Sequence, residues 1–345
     1  MKIRGIGVGS MLYGLGYGFA RPDFASAAVD VAFDGSVTLR NGASELGQGL
    51  RTILCQFVAD ELGVRFKDVT IVSADTEKTP DSGPVSASRA TYVQGNAVVK
   101  ACQDLKSQLG EIAAELLACS PDRLTFGNGR VYDREAPSRG LPFAKLASET
   151  HARGKRFQGY GWHKITTPDV DTATSQGDAY ATYAWASQLA EVEVDTETGK
   201  VIVLRLASAT DAGKAINPKG VEGQIEGGAV QGLGFALMEE MVVKQGKFVN
   251  SRLSTYLIPT AADVPKIDPL IVEVYDPTGP HGAKGVAEPA TIPTPPAIFN
   301  AIANAIGQRV TRTPASPERI LQLLGKLDVV EEEPRTLEDV PYPSP

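Results

Sequence analysis

Residues 279–296, which read GPHGAKGVAEPATIPTPP, contain a single carboxylate, Glu288. Three glycines precede this carboxylate and four prolines follow it, so the backbone is not expected to form a helix here. Pro289 favours an extended conformation at Glu288, which would direct the side chain away from the local backbone. The segment is therefore either a solvated surface loop or a loop that presents an acid to a cavity.

Length and composition describe an ordinary globular protein. The chain has 345 residues, of which 42% are hydrophobic and 22% are charged, and such a length is enough for about two domains with separate cores. The formal net charge of -7 argues against binding to nucleic acid, because affinity for a phosphate backbone requires clustered Lys and Arg. No apolar run approaches the length of a transmembrane helix, so a membrane is not expected as a partner either.

The cysteines and the N-terminal segment bear on the cellular location. Cys55, Cys102 and Cys119 are far apart and form no C-x-x-C pair, so neither a disulfide framework nor an iron–sulfur or zinc thiolate site is expected. Glycines interrupt the apolar run of residues 5–18 at nearly alternate positions, which argues against a signal peptide and suits a backbone packed closely against another surface. We predict a cytoplasmic protein.

Two segments of small residues lead into predicted helices. NGASELGQGL (41–50) ends in the turn Gly47-Gln48-Gly49, and the apolar spacing after it indicates a helix that ends at Gly63. Free N–H groups at a helix N-terminus favour an anion, but a tight turn without a ligand would show the same glycines. In TPDSGPVSASRAT (79–91), the guanidinium of Arg89 could hold a phosphate or carboxylate, or it could be an ordinary surface group.

The remaining elements predict the domain organisation. Residues 220–241 (GVEGQIEGGAVQGLGFALMEEM) form a predicted helix whose interior glycines each cost about 1 kcal/mol relative to alanine, so another part of the structure must lie against them. Hairpins are predicted at Asp34-Gly35, at Asn128-Gly129 and within residues 242–248, and a final helix is predicted to begin at Ser316. Residues 135–180 are polar and are predicted to be irregular, with His151 and His163 structural or exposed. The predicted units are residues 1–177, residues 178–327 and an acidic, proline-rich tail, residues 328–345.

Taken together, four motifs resemble the molybdenum hydroxylases, the family of xanthine dehydrogenase and aldehyde oxidoreductase. They are ELGQGL (45–50), SASRAT (86–91) followed by GNAV (95–98), GQIEGGAVQGLG (223–234) and GAKGVAEP (282–289). Their order and intervals resemble the second half of the molybdopterin-binding subunit of that family. The resemblance implies an α+β fold with two mixed α/β molybdopterin-binding subdomains and the cofactor between them.

The resemblance also implies roles for individual residues. Glu288 matches the catalytic base of the hydroxylation. Tyr13 matches a tyrosine in the substrate pocket of nicotinate dehydrogenase, although a tyrosine in a glycine-rich segment could also simply pack. No protein side chain is expected to bind the metal directly. The residues that match cofactor-binding positions are Gly47, Gln48, Gly49, Ser86, Ala87, Ser88, Arg89, Ala90, Gln224 and Gly285.

Cofactors, partners and substrate follow from the same resemblance. It implies molybdenum held by molybdopterin cytosine dinucleotide, shared with a large molybdopterin subunit, and partner subunits that carry [2Fe-2S] and FAD. The chain is similar in length to the medium molybdopterin subunit of nicotinate dehydrogenase, which implies hydroxylation of a nicotinate-like N-heteroaromatic substrate with water as the oxygen source. The alternatives are the same chemistry on xanthine, another purine or an aldehyde, and a non-catalytic cofactor-binding or scaffold subunit.

Overall fold

The computed structural model describes residues 1–19, 21–167, 170–171 and 173–328. The helices are α1 (Leu50–Leu62), α2 (Gly95–Leu117), α3 (Phe143–Ala152), α4 (Pro218–Leu237), α5 (Glu288–Thr291), α6 (Thr294–Ile306) and α7 (Pro317–Leu323). The strands are β1 (Lys2–Gly14), β2 (Phe24–Val31), β3 (Val37–Asn41), β4 (Val69–Ser73), β5 (Leu124–Gly127), β6 (Arg130–Asp133), β7 (Ala136–Pro142), β8 (Gln158–Lys164), β9 (Val170–Asp171), β10 (Gln176–Gly177), β11 (Tyr183–Asp195), β12 (Val201–Asp211), β13 (Val243–Lys244), β14 (Lys247–Phe248) and β15 (Lys266–Val272). The predicted α+β class is confirmed. The predicted tail lies outside the described residues from residue 329 onward.

The first sheet has the strand order β1-β11-β12-β15. Neighbouring strands are antiparallel except for β12 and β15, which are parallel. Helices α4 and α6 lie on one face of this sheet. The core between sheet and helices includes Val192, Leu206, Leu233, Ile298 and Ile302, all nearly or completely buried.

Alternate glycines of β1 let α6 lie directly on that strand. A methyl group at Gly5 or Gly7 would come within 2.1 Å of the backbone of Ala301, closer than any real contact allows. The close packing predicted for this segment is confirmed, and it is made by the chain's own helix. These glycines therefore need no partner chain to cover them.

The second sheet has the order β4-β3-β2-β8, and α2 packs on β2 and β8. A third sheet, β5-β6-β7, lies beside α3. The associated core includes Val29, Leu39, Phe57, Leu105 and Val131. This second core belongs to the α1 and α2 side of the molecule, so the described residues form two hydrophobic cores.

The predicted hairpins and the cap of the last helix are confirmed, but the prediction for residues 135–180 is not. The three predicted hairpins are β2–β3, β5–β6 and β13–β14, and the side chain of Ser316 accepts a hydrogen bond at the start of α7. Residues 135–180, predicted to be irregular, instead contain β7, α3 and β8. The prediction was wrong because β8 has Gly159 and Gly161 where apolar side chains would normally reveal a strand, and α2 lies against both glycines.

The boundary between residues 177 and 178 stays a prediction. Strand β1 pairs with β11 along its whole length, from Lys2 opposite Asp195 to Gly14 opposite Tyr183. The start of the chain is therefore hydrogen-bonded to strands on the far side of that boundary.

His281 joins residues 279–285 to α1. Its Nε2 lies 2.9 Å from Glu61 Oε1 and its Nδ1 lies 3.3 Å from Asp60 Oδ2. The hydrogen bond to Glu61 is the largest cause that raises the pKa of His281, and nearby carboxylate charge adds to it while partial burial and Lys106 oppose it. The protonated ring is therefore the form that this junction favours.

We predict that this junction makes stability depend on pH. Because the pKa of His281 is higher in the folded chain than in the unfolded one, its contribution is complete below the unfolded value of about 6.5 and is lost as the pH rises through the folded value. Between about pH 6 and about pH 9, the melting temperature should fall less for His281→Asn than for wild type. His151→Asn serves as the control, since that ring stacks on Phe157 away from this junction. Equal drops for His281→Asn and wild type would contradict the prediction.

Candidate functional site

Segments that are far apart in the sequence line two adjoining cavities. The smaller, here called the inner cavity, has a volume of ≈ 160 Å³. The larger, here called the Glu288 cavity, has a volume of ≈ 560 Å³. Gln48, Gln224 and Ala287 line both cavities. The motifs around these residues, together with Ser88 at the inner cavity, are therefore brought to one place.

Glu288 lies on the wall of the larger cavity and is partly buried. The hydroxyl of Ser88 donates a hydrogen bond to Glu288 Oε2, and Ser88 Oγ accepts from the backbone N–H groups of Ala287 and Glu288 at 3.3 and 3.1 Å. The expectation of a non-helical, extended backbone was wrong, because Glu288 begins the short helix α5. Pro289 is tolerated there because the first turn of a helix needs no N–H donor.

The loop that carries Ser88 is held in an uncommon backbone conformation. Ala87 and Ser88 have φ angles of 52° and 48°, in the left-handed region that non-glycine residues rarely adopt. Gly16 donates a backbone hydrogen bond to the carbonyl of Ala87. A methyl group at Gly285 would come within 1.7 Å of the carbonyl oxygen of Ser88. Residue 285 is therefore a glycine because its backbone lies too close to the Ser88 loop for any side chain to fit.

Arg89 is buried beneath this loop and lines neither of the two cavities. Its Nε donates to Asp23 Oδ1 at 2.6 Å, and its remaining nitrogens donate to the carbonyls of Phe24, Ser82 and Pro84. The side chain is only 1% exposed. Of the groups that the guanidinium was expected to hold, the structure thus provides a carboxylate, that of Asp23. A phosphate on this side chain is not supported, because the guanidinium already makes four hydrogen bonds within the protein.

The amides at the start of α1 are occupied by a carboxylate of the chain itself. Glu45 accepts hydrogen bonds from the N–H groups of Gly47, Gly49 and Arg51 at 3.0, 2.9 and 3.0 Å. Burial of the Glu45 carboxyl opposes its ionisation, but these donors together outweigh burial and lower its pKa. The anion that a helix N-terminus favours is therefore Glu45, and the interpretation of these amides as free was wrong.

The two cavity glutamines differ in how freely they can bind a ligand. Gln48 Oε1 accepts from the N–H of Leu46, and its Nε2 donates to the carbonyl of Ser44 at 3.0 Å. Gln224 has no hydrogen-bond partner among the described residues, so its amide remains available. A methyl group at Gly47 or Gly227 would meet no atom within 4 Å. The lining thus combines an available amide with open space beside the backbone.

Tyr13 is electrostatically linked to Glu288. Burial raises the pKa of Tyr13 to about 12, and the charges of Glu288 and Tyr180 add to this shift. Tyr13 is partly buried near the end of β1. Its hydroxyl therefore stays protonated at neutral pH and can donate a hydrogen bond.

Sequence reasoning missed a buried ion pair beside the inner cavity. Lys284 lines that cavity, and its Nζ lies 2.6 Å from Asp211 Oδ2, with both side chains largely buried. The other oxygen of Asp211 accepts the N–H of Gly213 at 2.9 Å. The pair ties the Glu288 segment to the end of β12. No spacing rule in the sequence links residues so far apart.

The described side chains offer no preformed metal centre of their own. Among the described residues, no group of three or more His, Cys, Asp or Glu side chains is placed to hold a metal ion. Burial is the main cause that lowers the pKa of His163 to about 4, so this histidine is neutral in the fold.

None of the described helices is long and apolar enough to cross a membrane.

The chain is similar to known proteins in both sequence and structure. A family model described as a molybdopterin cofactor-binding domain matches residues 1–265. A probable xanthine dehydrogenase subunit of Bacillus subtilis (strain 168) is 33% identical, over 94% of this chain and 42% of that protein. The gamma subunit of the 6-hydroxypseudooxynicotine dehydrogenase complex of Paenarthrobacter nicotinovorans is 33% identical, over 92% of this chain and 39% of that protein. Quinoline 2-oxidoreductase from Pseudomonas putida 86 has a similar structure, with a TM-score of 0.84 and 28% identity over 94% of this chain and 42% of that one. The chain thus spans less than half the length of these relatives.

Proposed function

Because this chain belongs to the molybdenum hydroxylase family as a molybdopterin-binding subunit, we propose that it supplies the catalytic carboxylate and part of the cofactor site of a multi-subunit oxidoreductase. The convergence of Glu288, Ser88 and Gln224 on two adjoining cavities carries the proposal. The proposed reaction is the hydroxylation of a nicotinate-like N-heteroaromatic ring with oxygen from water. Relatives named for quinoline and for 6-hydroxypseudooxynicotine support this class of substrate.

The residues at the cavities fit a molybdopterin cofactor. A pterin ring carries both hydrogen-bond donors and acceptors, and the amide of Gln224 can serve both. Open space beside Gly47 and Gly227 admits a ligand close to the backbone. When bound, the cofactor supplies the redox chemistry of the reaction. The remaining proposed contacts come from Gln48, Gly49, Ser86, Ala87, Ser88, Ala90, Gly285 and the backbone of Arg89.

Glu288 acts in this proposal as a general base. Its Oε2 is held by the hydroxyl of Ser88, which leaves Oε1 free to take the proton that the water-derived nucleophile loses. A general base acts in this way when its carboxylate is held in one orientation, within hydrogen-bond reach of the proton that it removes. Ser88 and the backbone N–H groups around it thus position the base.

The rest of the enzyme is proposed to come from partner chains. We assign the part of these relatives that this chain does not match to a large molybdopterin subunit. One relative is named as a subunit of a complex, and we assign [2Fe-2S] and FAD to further subunits. Cys55, Cys102 and Cys119 are free thiols, compatible with the cytoplasmic location that we propose.

A purine is the second candidate substrate, supported by the relative named as a xanthine dehydrogenase subunit. An aldehyde would use the same carboxylate in the same way. A purely structural role is disfavoured, since it would have no need for the hydrogen bond that orients the Glu288 carboxylate.

The proposal is tested on the complex purified through a tag on this chain. Metal analysis should find molybdenum, and acid treatment should release CMP, as expected for a cytosine dinucleotide cofactor. Activity should then be measured on nicotinate, xanthine and aldehydes. A complex with no molybdenum would refute the proposed function, and a loaded complex without CMP would refute the dinucleotide form.

Ser88→Ala should lower kcat by about tenfold, because the carboxylate loses the donor that orients it. KM and molybdenum content should change little, since the alanine keeps the backbone contacts of the loop. Ser148→Ala is the matched control, because the Ser148 hydroxyl donates to the carbonyl of Lys145 on α3 and lines neither cavity. An unchanged kcat for Ser88→Ala in steady-state assays would show that Ser88 does not position the base.

Tyr13→Phe removes only the hydroxyl that stays protonated next to Glu288. If this hydroxyl contacts an anionic ring substrate, KM should rise by about tenfold with unchanged cofactor content. Tyr180→Phe provides the comparison, because Tyr180 also contributes to the electrostatic environment of Tyr13. Steady-state kinetics equal to wild type would return Tyr13 to a packing role.

A further inference from the structure

One face of the first sheet is open and apolar. Because Gly5, Gly7 and Gly9 face α6, the intervening residues of β1 face the opposite side. Across that side, Leu12 lies opposite Trp185 and Val8 lies opposite Leu189. Residues Ser10, Ser187, Ala209 and Leu270 form the row between them. Trp185 is 60% exposed and Val8 is 52% exposed. We call this side the open face.

Charged pairs mark one border of the open face. The guanidinium of Arg4 lies 3.7 Å from Glu191 Oε1 and 3.6 Å from Glu193 Oε2. The Nε of Arg205 lies 2.5 Å from Asp268 Oδ2. These exposed ion pairs thus lie towards one end of the sheet. The other end presents apolar side chains and a pair of serines whose hydroxyls bond to each other, which is the composition of an interface core with a polar rim.

The apolar end of the open face lies next to the proposed site. A depression of ≈ 570 Å³ is lined by Leu12, Trp185, Val272 and Asp211, among others. Asp211 also holds Lys284 at the inner cavity, and Leu12 directly precedes Tyr13. A chain bound to this face would therefore reach the edge of the site.

We propose that the open face binds the large molybdopterin-binding chain, that is, the polypeptide equivalent to the part of the relatives that this chain does not match. The proposal rests on the proposed function. Relatives such as quinoline 2-oxidoreductase contain an equivalent of this chain in 42% of a longer polypeptide. If the remainder is a separate chain here, it must bind through a surface. A contiguous apolar area of this kind on a sheet is the feature expected of such a surface.

The test co-expresses the tagged chain with the polypeptide of its own source that matches the uncovered part of the relatives. The double variant Val8→Lys with Leu189→Glu places opposite charges on directly paired positions, so the sheet itself should tolerate it. Association should weaken by about 100-fold, because charges enter the centre of an apolar interface. Leu116→Lys is the control, because Leu116 is about as exposed as Leu189 (39% against 37%) but lies on α2, away from the open face.

Size-exclusion chromatography with light scattering reads out the assembly independently of molybdenum and turnover. Wild type and Leu116→Lys should form the heteromer, and the double variant should remain free while melting like wild type. A heteromer that survives the double substitution overturns the proposed surface. A homodimer that the substitution dissociates overturns the proposed partner in favour of a second copy. An assembled complex that contains no molybdenum would still support the proposed binding surface but would refute the proposed function.

Discussion

Glu288→Gln should lower kcat by about four powers of ten, the upper end of what a general base contributes. Folding and molybdenum content should remain normal, because the amide oxygen of glutamine can still accept the hydrogen bond from Ser88. Neither Pro289 nor Gly285 is altered, so the start of α5 and its approach to the Ser88 loop are preserved. The expected enzyme is therefore fully loaded, correctly folded and nearly inactive.

Steady-state kinetics combined with metal analysis measure this outcome. Glu226→Gln is the matched control, since Glu226 lies exposed on α4 outside the lining of both cavities and loses the same charge. If Glu288→Gln keeps more than about a tenth of wild-type kcat with full molybdenum occupancy, another group is the base. The central part of the proposed function would then fail.

Local elements could be predicted from the sequence wherever side-chain periodicity or turn chemistry reveals them. The helix that ends at Gly63, the hairpin at Asn128-Gly129 and the cap at Ser316 all follow from such local rules. Strand β8 could not be predicted, because its alternate positions are glycines that accommodate the backbone of α2. Its pattern becomes intelligible only when the contacting helix is known.

The same distinction applies to the candidate site. The motifs around Gln48, Ser88 and Gln224 were expected to meet, and in the structure they line adjoining cavities. Their detailed contacts were not predictable, because they depend on pairs such as Ser88 with Glu288, which are 200 residues apart. Glu45 illustrates the limit most clearly, since a helix N-terminus indicates that an anion is favoured but not that the chain provides it.

Arg89→Met should destabilise the protein by about 3–5 kcal/mol, the usual cost of breaking a buried ion pair by removing one partner. The substitution would leave the Asp23 carboxylate, which is 0% exposed, without its cation. It would also leave the carbonyls of Phe24, Ser82 and Pro84 without their donor. Since this network holds the loop that carries Ser88, molybdenum content should fall together with the melting temperature.

A double variant separates the structural role of Arg89 from a role in binding phosphate. Asp23→Leu combined with Arg89→Met removes both charges, so no buried carboxylate is left uncompensated and part of the lost stability should return. Denaturant unfolding of the two single variants and the double variant measures this coupling. The opposite pattern, in which Arg89→Met unfolds like wild type but loses the nucleotide of its cofactor, would show that the guanidinium binds phosphate. Because every nitrogen of that guanidinium already donates a hydrogen bond to the protein, we expect loss of stability to come first and loss of cofactor to follow from it.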